Sequence, residues 1–176
     1  LYLNIVFKTQ QMIRILSTIL FSLIFCSLFG QTTDVFPDVE LETTKDRIIN
    51  SSTFKQAKHP KVIVFWVTTS RSAIQELNAL ESLKSLWSAN YDAQIISIAL
   101  DNSKQKKKVV PFVETNQWTF DCYLDPSAKS MIAIDGQEVP LTLIVDEKGS
   151  IVWRQEGFDS NTIKKIQEQL NIMTEK

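Results

Sequence analysis

The order of apolar patterns along this sequence predicts an α/β fold, with a mixed sheet covered by helices on both faces. Three observations carry that expectation. Lys61-Val62-Ile63-Val64-Phe65-Trp66-Val67 is a β-branched and aromatic run of the kind found in a buried central strand. Directly after it, Ala73, Leu77, Leu80, Leu83 and Trp87 recur at three- and four-residue steps, which places them on one face of a helix ending near Asn90. Towards the C-terminus, Leu141–Val145 and Ser150–Trp153 flank Asp146-Glu147-Lys148-Gly149, a hairpin in which Gly149 supplies the left-handed turn position.

The other elements fit around these. Between Asp34 and Asn50, short alternating stretches (Val39 and Leu41, Ile48 and Ile49) predict edge strands that extend the sheet at its N-terminal side. Thr68 to Ser72 is rich in helix-capping residues. Ala93–Leu100 reads as a second buried strand, and Lys104–Lys108 as a solvated basic loop with an anion-binding patch as the alternative. Pro111 fits the first turn of a short helix carrying Val110 and Val113, because a proline deeper in a helix costs about 3 kcal/mol. Trp118–Leu124 is expected as a short strand ended by Asp125-Pro126, and Ser127–Ile134 as a helix. Asp159 or Ser160 is expected to cap a last helix with Ile163, Ile166 and Leu170 on one face.

Composition narrows the function. The chain has 176 residues, 19 basic and 20 acidic side chains, and a net charge of −1, so no electrostatic case exists for nucleic acid as a ligand. Two cysteines are too few for a disulfide scaffold, and one histidine is too few for the common zinc sites. No cofactor is expected. At the front, Met12-Ile13-Arg14 followed by the apolar stretch from Ile15 to Phe25 resembles a signal peptide, with cleavage after Gly30. Residues 1–11 then read as an over-extended start, and 31–176 as the domain. The apolar run is shorter than the ~20 residues of a membrane span, so a membrane anchor through 15–29 is the alternative to export into the periplasm. Removal of that segment takes Cys26 with it and leaves Cys122 without an intrachain partner.

Three stretches together resemble one family. Val62 to Ala73 is similar to the strand and W-A-T-W-C-x-x-C segment of the exported TlpA-like (thioredoxin/redoxin) thiol–disulfide oxidoreductases, with Glu76-Leu77 following in register. Glu138-Val139-Pro140-Leu141-Thr142 resembles that family's loop carrying a cis-proline opposite the active site. Ile144–Val152 resembles the hairpin that follows. The resemblance implies a thioredoxin fold over roughly Val39 to Leu170 and a cis Val139–Pro140 bond.

It also exposes a departure. Carried over position by position, the two redox cysteines fall on Ser70 and Ala73, and the tryptophan before them on Thr69. A hydroxyl has no accessible alkoxide near neutral pH and forms no disulfide, and an alanine methyl offers no chemistry. Dithiol–disulfide exchange is therefore not expected here. Three readings remain. In the first, the protein acts by binding a protein or peptide partner in the cell envelope through Thr69, Ser70, Val139 and Pro140, where an extended segment pairs with open backbone. In the second, Cys122 serves as a single thiol in thiol–disulfide or peroxide chemistry, within cell redox homeostasis. In the third, the fold is only an interaction module of a larger assembly. Cys122 shares a strand face with Phe120 and Leu124, has no cation within two residues and has Asp121 beside it, which suits a small buried hydrophobe better than a reactive thiol. A serine nucleophile is not expected either. The only histidine, His59, precedes the central strand and Ser70 follows it, so the two belong at opposite ends. His59 then reads as an exposed loop residue, and Phe65, Trp66, Trp118 and Trp153 as core or sheet-face packing.

Overall fold

A computed structural model describes residues 35–175. The predicted leader and its cleavage position lie outside these residues. Among the described residues no helix is long and apolar enough to cross a membrane.

The chain runs β1 (Glu40–Thr43), β2 (Ile48–Asn50), α1 (Thr53–Gln56), β3 (Lys61–Trp66), α2 (Arg71–Tyr91) and β4 (Gln94–Ala99). A 3₁₀ turn (Lys106–Lys108) then leads into α3 (Val109–Thr115), followed by β5 (Asp121–Leu124), α4 (Lys129–Ala133), β6 (Leu141–Val145), β7 (Ile151–Glu156) and α5 (Thr162–Thr174). The seven strands form one mixed sheet in the order β2-β1-β5-β4-β3-β6-β7. β3, β4 and β5 are parallel, and β6 runs antiparallel to β3 with Phe65 opposite Leu141 and Lys61 opposite Val145.

All six residues of β3 are buried because both faces of the strand are covered. Val62, Val64 and Trp66 point into a core shared with Ala73, Leu77 and Trp87 of α2 and with Ile166 and Leu170 of α5. Ile63 and Phe65 point into a second core with Phe36, Leu41, Phe54 and Met131. The result is the thioredoxin-like α/β fold expected from the sequence.

Several boundaries differ from expectation, each for a local reason. The strand predicted over Trp118–Leu124 begins only at Asp121. The Thr119 amide and hydroxyl donate to the Glu81 carboxylate, and the Lys84 ammonium donates to the Thr119 carbonyl at 2.8 Å, so α2 draws this stretch off the sheet. Trp118 and Phe120 remain buried, packing into the core. β1 is interior, pairing with both β2 and β5, so only β2 is an edge on that side. The helix expected from Ser127 starts at Lys129, after a left-handed Ala128 (φ 51°), because the buried Asp125 carboxylate accepts from the Ser130 amide and hydroxyl and fixes the turn. The last helix is preceded by Asn161, whose amide donates to Asp159, so Asp159 braces the entry from two residues upstream. The basic stretch is not wholly solvated: Lys106 pairs with Glu42 at 2.7 Å.

Candidate functional site

Thr69, Ser70, Val139 and Pro140 lie at one end of the sheet. β3 ends at Trp66 and α2 begins at Arg71, so Thr69 and Ser70 sit on the turn between strand and helix. One step beyond the Phe65–Leu141 pair, Pro140 enters β6 at that same end. The Val139–Pro140 peptide bond is cis. The Pro140 carbonyl accepts from the Gly157 amide, whereas the amide and carbonyl of Val139 make no hydrogen bond among the described residues. A second tie holds the turn: the Thr68 amide and hydroxyl both donate to Asp101, a buried carboxylate just past β4.

Ser70 is the N-cap of α2. Its backbone is extended, its hydroxyl accepts from the Ala73 amide at 3.3 Å, and the Ser72 hydroxyl lies 3.2 Å away. A cap of this kind satisfies one of the donors that every helix start leaves open. The Arg71 and Ser72 amides remain without a partner among the described residues. Ala73 is fully buried. No thiol stands at this helix start.

Glu76 stands outside the site residues read from the sequence. It lies three residues past Ala73 on the apolar face of α2 and is fully buried. One carboxylate oxygen accepts from the Thr142 hydroxyl, and the other has no hydrogen-bond partner among the described residues. Burial pushes the carboxyl from its ordinary 4.5 up to about 7, against the smaller opposing pull of the Thr142 bond. Trp66, edge-to-face on Trp118 with ring centres 5.1 Å apart, likewise buries an indole N–H without an acceptor. The signal for Glu76 was present in the sequence: a carboxylate occupies the i+3 slot of an otherwise apolar helix stripe.

Cys122 does not join this group. It lies on β5, opposite Ser97 of β4, and is 8% exposed. Burial pushes its thiol up to about 11, with Asp101 and Asp121 adding in the same direction against the smaller effect of Ser97. His59 is exposed and lies at the other end of the sheet from Ser70, as expected, with its Nδ1 2.6 Å from the Asp92 carboxylate. It borders an open cleft of about 470 Å³ whose lining includes neither Ser70 nor Pro140. Among the described residues no cluster of His, Cys, Asp or Glu is arranged to hold a metal ion.

The sequence profile of the AhpC/TSA family matches residues 32–154. The chain belongs to that family. Solved structures agree on its fold. An uncharacterized thioredoxin-like protein from Porphyromonas gingivalis superposes with a TM-score of 0.70 at 22% identity, over 80% of this chain and 92% of its own. A thiol:disulfide interchange protein DsbE (so described for Chlorobium tepidum) gives 0.68 at 16% identity, over 80% and 95%. StoA from Bacillus subtilis gives 0.61 at 21% identity, over 76% and 96%. No curated protein sequence matches the chain. Within this redoxin family, then, the strand-to-helix turn carries Ser70 and Ala73 beside a cis-proline.

Proposed function

We propose that this redoxin-family protein recognises an extended polypeptide segment at the Thr69–Ser70 turn and the Val139–Pro140 backbone, and does so without dithiol–disulfide exchange. The single observation that carries the proposal is the state of the helix start. Ser70 spends its hydroxyl on capping α2 and Ala73 is buried, while the Val139 amide and carbonyl have no partner among the described residues. Open backbone groups of this kind accept an added strand, and that capacity needs no thiol. Cys122 is a poor substitute nucleophile, since a thiol titrating near 11 is almost wholly protonated at neutral pH. An envelope setting for this activity rests on the signal-like segment before Gln31.

The test is insulin reduction with dithiothreitol as electron donor. The protein is expected to give the rate of the donor alone, and turnover like that of an active thioredoxin overturns the proposal. The double substitution Ser70→Cys with Ala73→Cys is expected to create an oxidisable pair, because the two positions lie one helical turn apart at a helix start.

A further inference from the structure

We infer that the segment recognised at this surface is acidic, and that the cations following β4 and β5 form a rim that holds its carboxylates. This rests on the binding role proposed above and adds the chemistry of the partner. β3, β4 and β5 are parallel, so the stretches that follow them all emerge at the sheet end that carries Ser70 and Pro140. Each of those stretches brings cations. Arg71 opens α2, Lys104, Lys107 and Lys108 precede α3, and Lys129 opens α4. All five are exposed, and none pairs with an acid among the described residues. Lys106 is already engaged by Glu42.

The acids just ahead of Lys104 and Lys129 in the chain, Asp101 and Asp125, face inward. Asp101 is bound by Thr68 and Asp125 by Ser130, and both carboxylates are buried. The cations also run against local helix physics. No acidic residue stands in the first turn of α2, α3 or α4, and Lys108 precedes α3 with no side-chain cap bond. Cations near a helix start are disfavoured by the backbone dipoles, and Arg71 stands in that position on the 21-residue α2. These cations occur in a chain whose net charge is −1, so the positive rim after β4 and β5 is a local departure from the whole.

Charge changes sign across Pro140. Glu138 and Asp135, both exposed, lie just before it. A bound segment is therefore oriented, with its acidic residues over β4 and β5 and its uncharged or basic end towards β6. Adjacent strands are ~4.8 Å apart, so the row from β5 to β6 is spanned by about four extended residues. A polypeptide suits this row better than single-stranded nucleic acid. The nearby Trp66 and Trp118 rings are buried and offer no stacking platform, whereas Val139 offers unpaired backbone.

The experiment uses a short fluorescein-labelled Gly/Ser peptide with glutamate at alternate positions, its glutamine counterpart, and the full chain. The glutamate peptide is expected to bind more tightly by about tenfold, with the advantage fading as salt is raised. Reversing Lys104, Lys107 and Lys108 to glutamate is expected to abolish that advantage. Reversing Lys45, Lys58 and Lys148, all exposed and at the other end of the sheet, is expected to leave it intact. A photocrosslinker carried on Thr69→Cys reports the shared surface. If both peptides crosslink there equally and the lysine reversals change nothing, the binding role stands and the acidic partner is overturned. Lysine-dependent binding with no crosslink at position 69 overturns both. Tighter lysine-dependent binding of anionic phospholipid vesicles or of a single-stranded oligonucleotide also overturns the acidic peptide.

Discussion

The two ends of the sheet each bury an ionisable group, and they treat it in opposite ways. At the end where β3 begins, Lys61 is 1% exposed, yet its ammonium donates to the carbonyls of Ala57 and His59 at 2.6 Å each. Glu147 and Asp146 favour its charge, which only partly offsets the burial that lowers its pKa. At the end where β3 stops, Glu76 has one oxygen bonded and one with no partner among the described residues. Buried polar groups in folded proteins are nearly always paired, and an unpaired one costs about 1–3 kcal/mol. The first end is built as an anchor. The second leaves an orphaned carboxylate oxygen beside an unpaired stretch of backbone, whereas a buried indole N–H without an acceptor among the described residues stands at each end, Trp66 at this one and Trp87 at the other.

Three substitutions test that contrast. Lys61→Ala removes two charge-assisted hydrogen bonds and most of a buried side chain, and is expected to cost about 3 kcal/mol, read as a lower urea midpoint with unchanged slope. A loss below about 1 kcal/mol would mean this end is no anchor. Glu76→Gln is expected to act in the opposite direction. The unfolded carboxyl releases its proton near 4.5 and the folded one near 7, so the contribution of Glu76 is fully present below the first value and is lost as pH rises towards the second. The substitution should leave stability at pH 4 unchanged, raise it at pH 8 by about 3 kcal/mol, and flatten the profile between. A variant that is destabilised at pH 8 would show that the charged carboxylate is a structural requirement. The smallest effect belongs to Ser70→Ala, which removes the cap of α2 and is expected to cost about 1 kcal/mol. Amide exchange should speed up in the first turn of α2 and hardly change at Lys61, which confines the loss to one end.

The core elements were legible because their periods are unambiguous. A six-residue apolar run admits little but a doubly covered strand, and the Ala73–Trp87 spacing admits little but a helix. What escaped was set by single tertiary bonds. Nothing near Trp118 announces that Glu81 and Lys84, more than thirty residues earlier, hold Thr119 away from the sheet. The four-residue α1 went unanticipated because it has one buried contact, Phe54, and no cap bond. At the candidate site, Ser70 and Pro140 were found by matching a family pattern, since neither residue type is distinctive alone. Glu76 was passed over because an isolated carboxylate on an apolar stripe reads as noise until the strand facing it is known to carry Thr142. The basic stretch was visible at once, but its place beside Ser70 depended on which strands run parallel.

The contact between Trp66 and Trp118 has an optical consequence. Their rings meet at 81° in a rigid, buried setting just inside the candidate surface, close enough for their electronic transitions to mix. The protein thus carries its own chromophore pair where β3 gives way to the Thr69–Ser70 turn. Far-ultraviolet circular dichroism should show a strong tryptophan couplet that Trp118→Phe removes, and a ligand that shifts the turn should alter it without any added label.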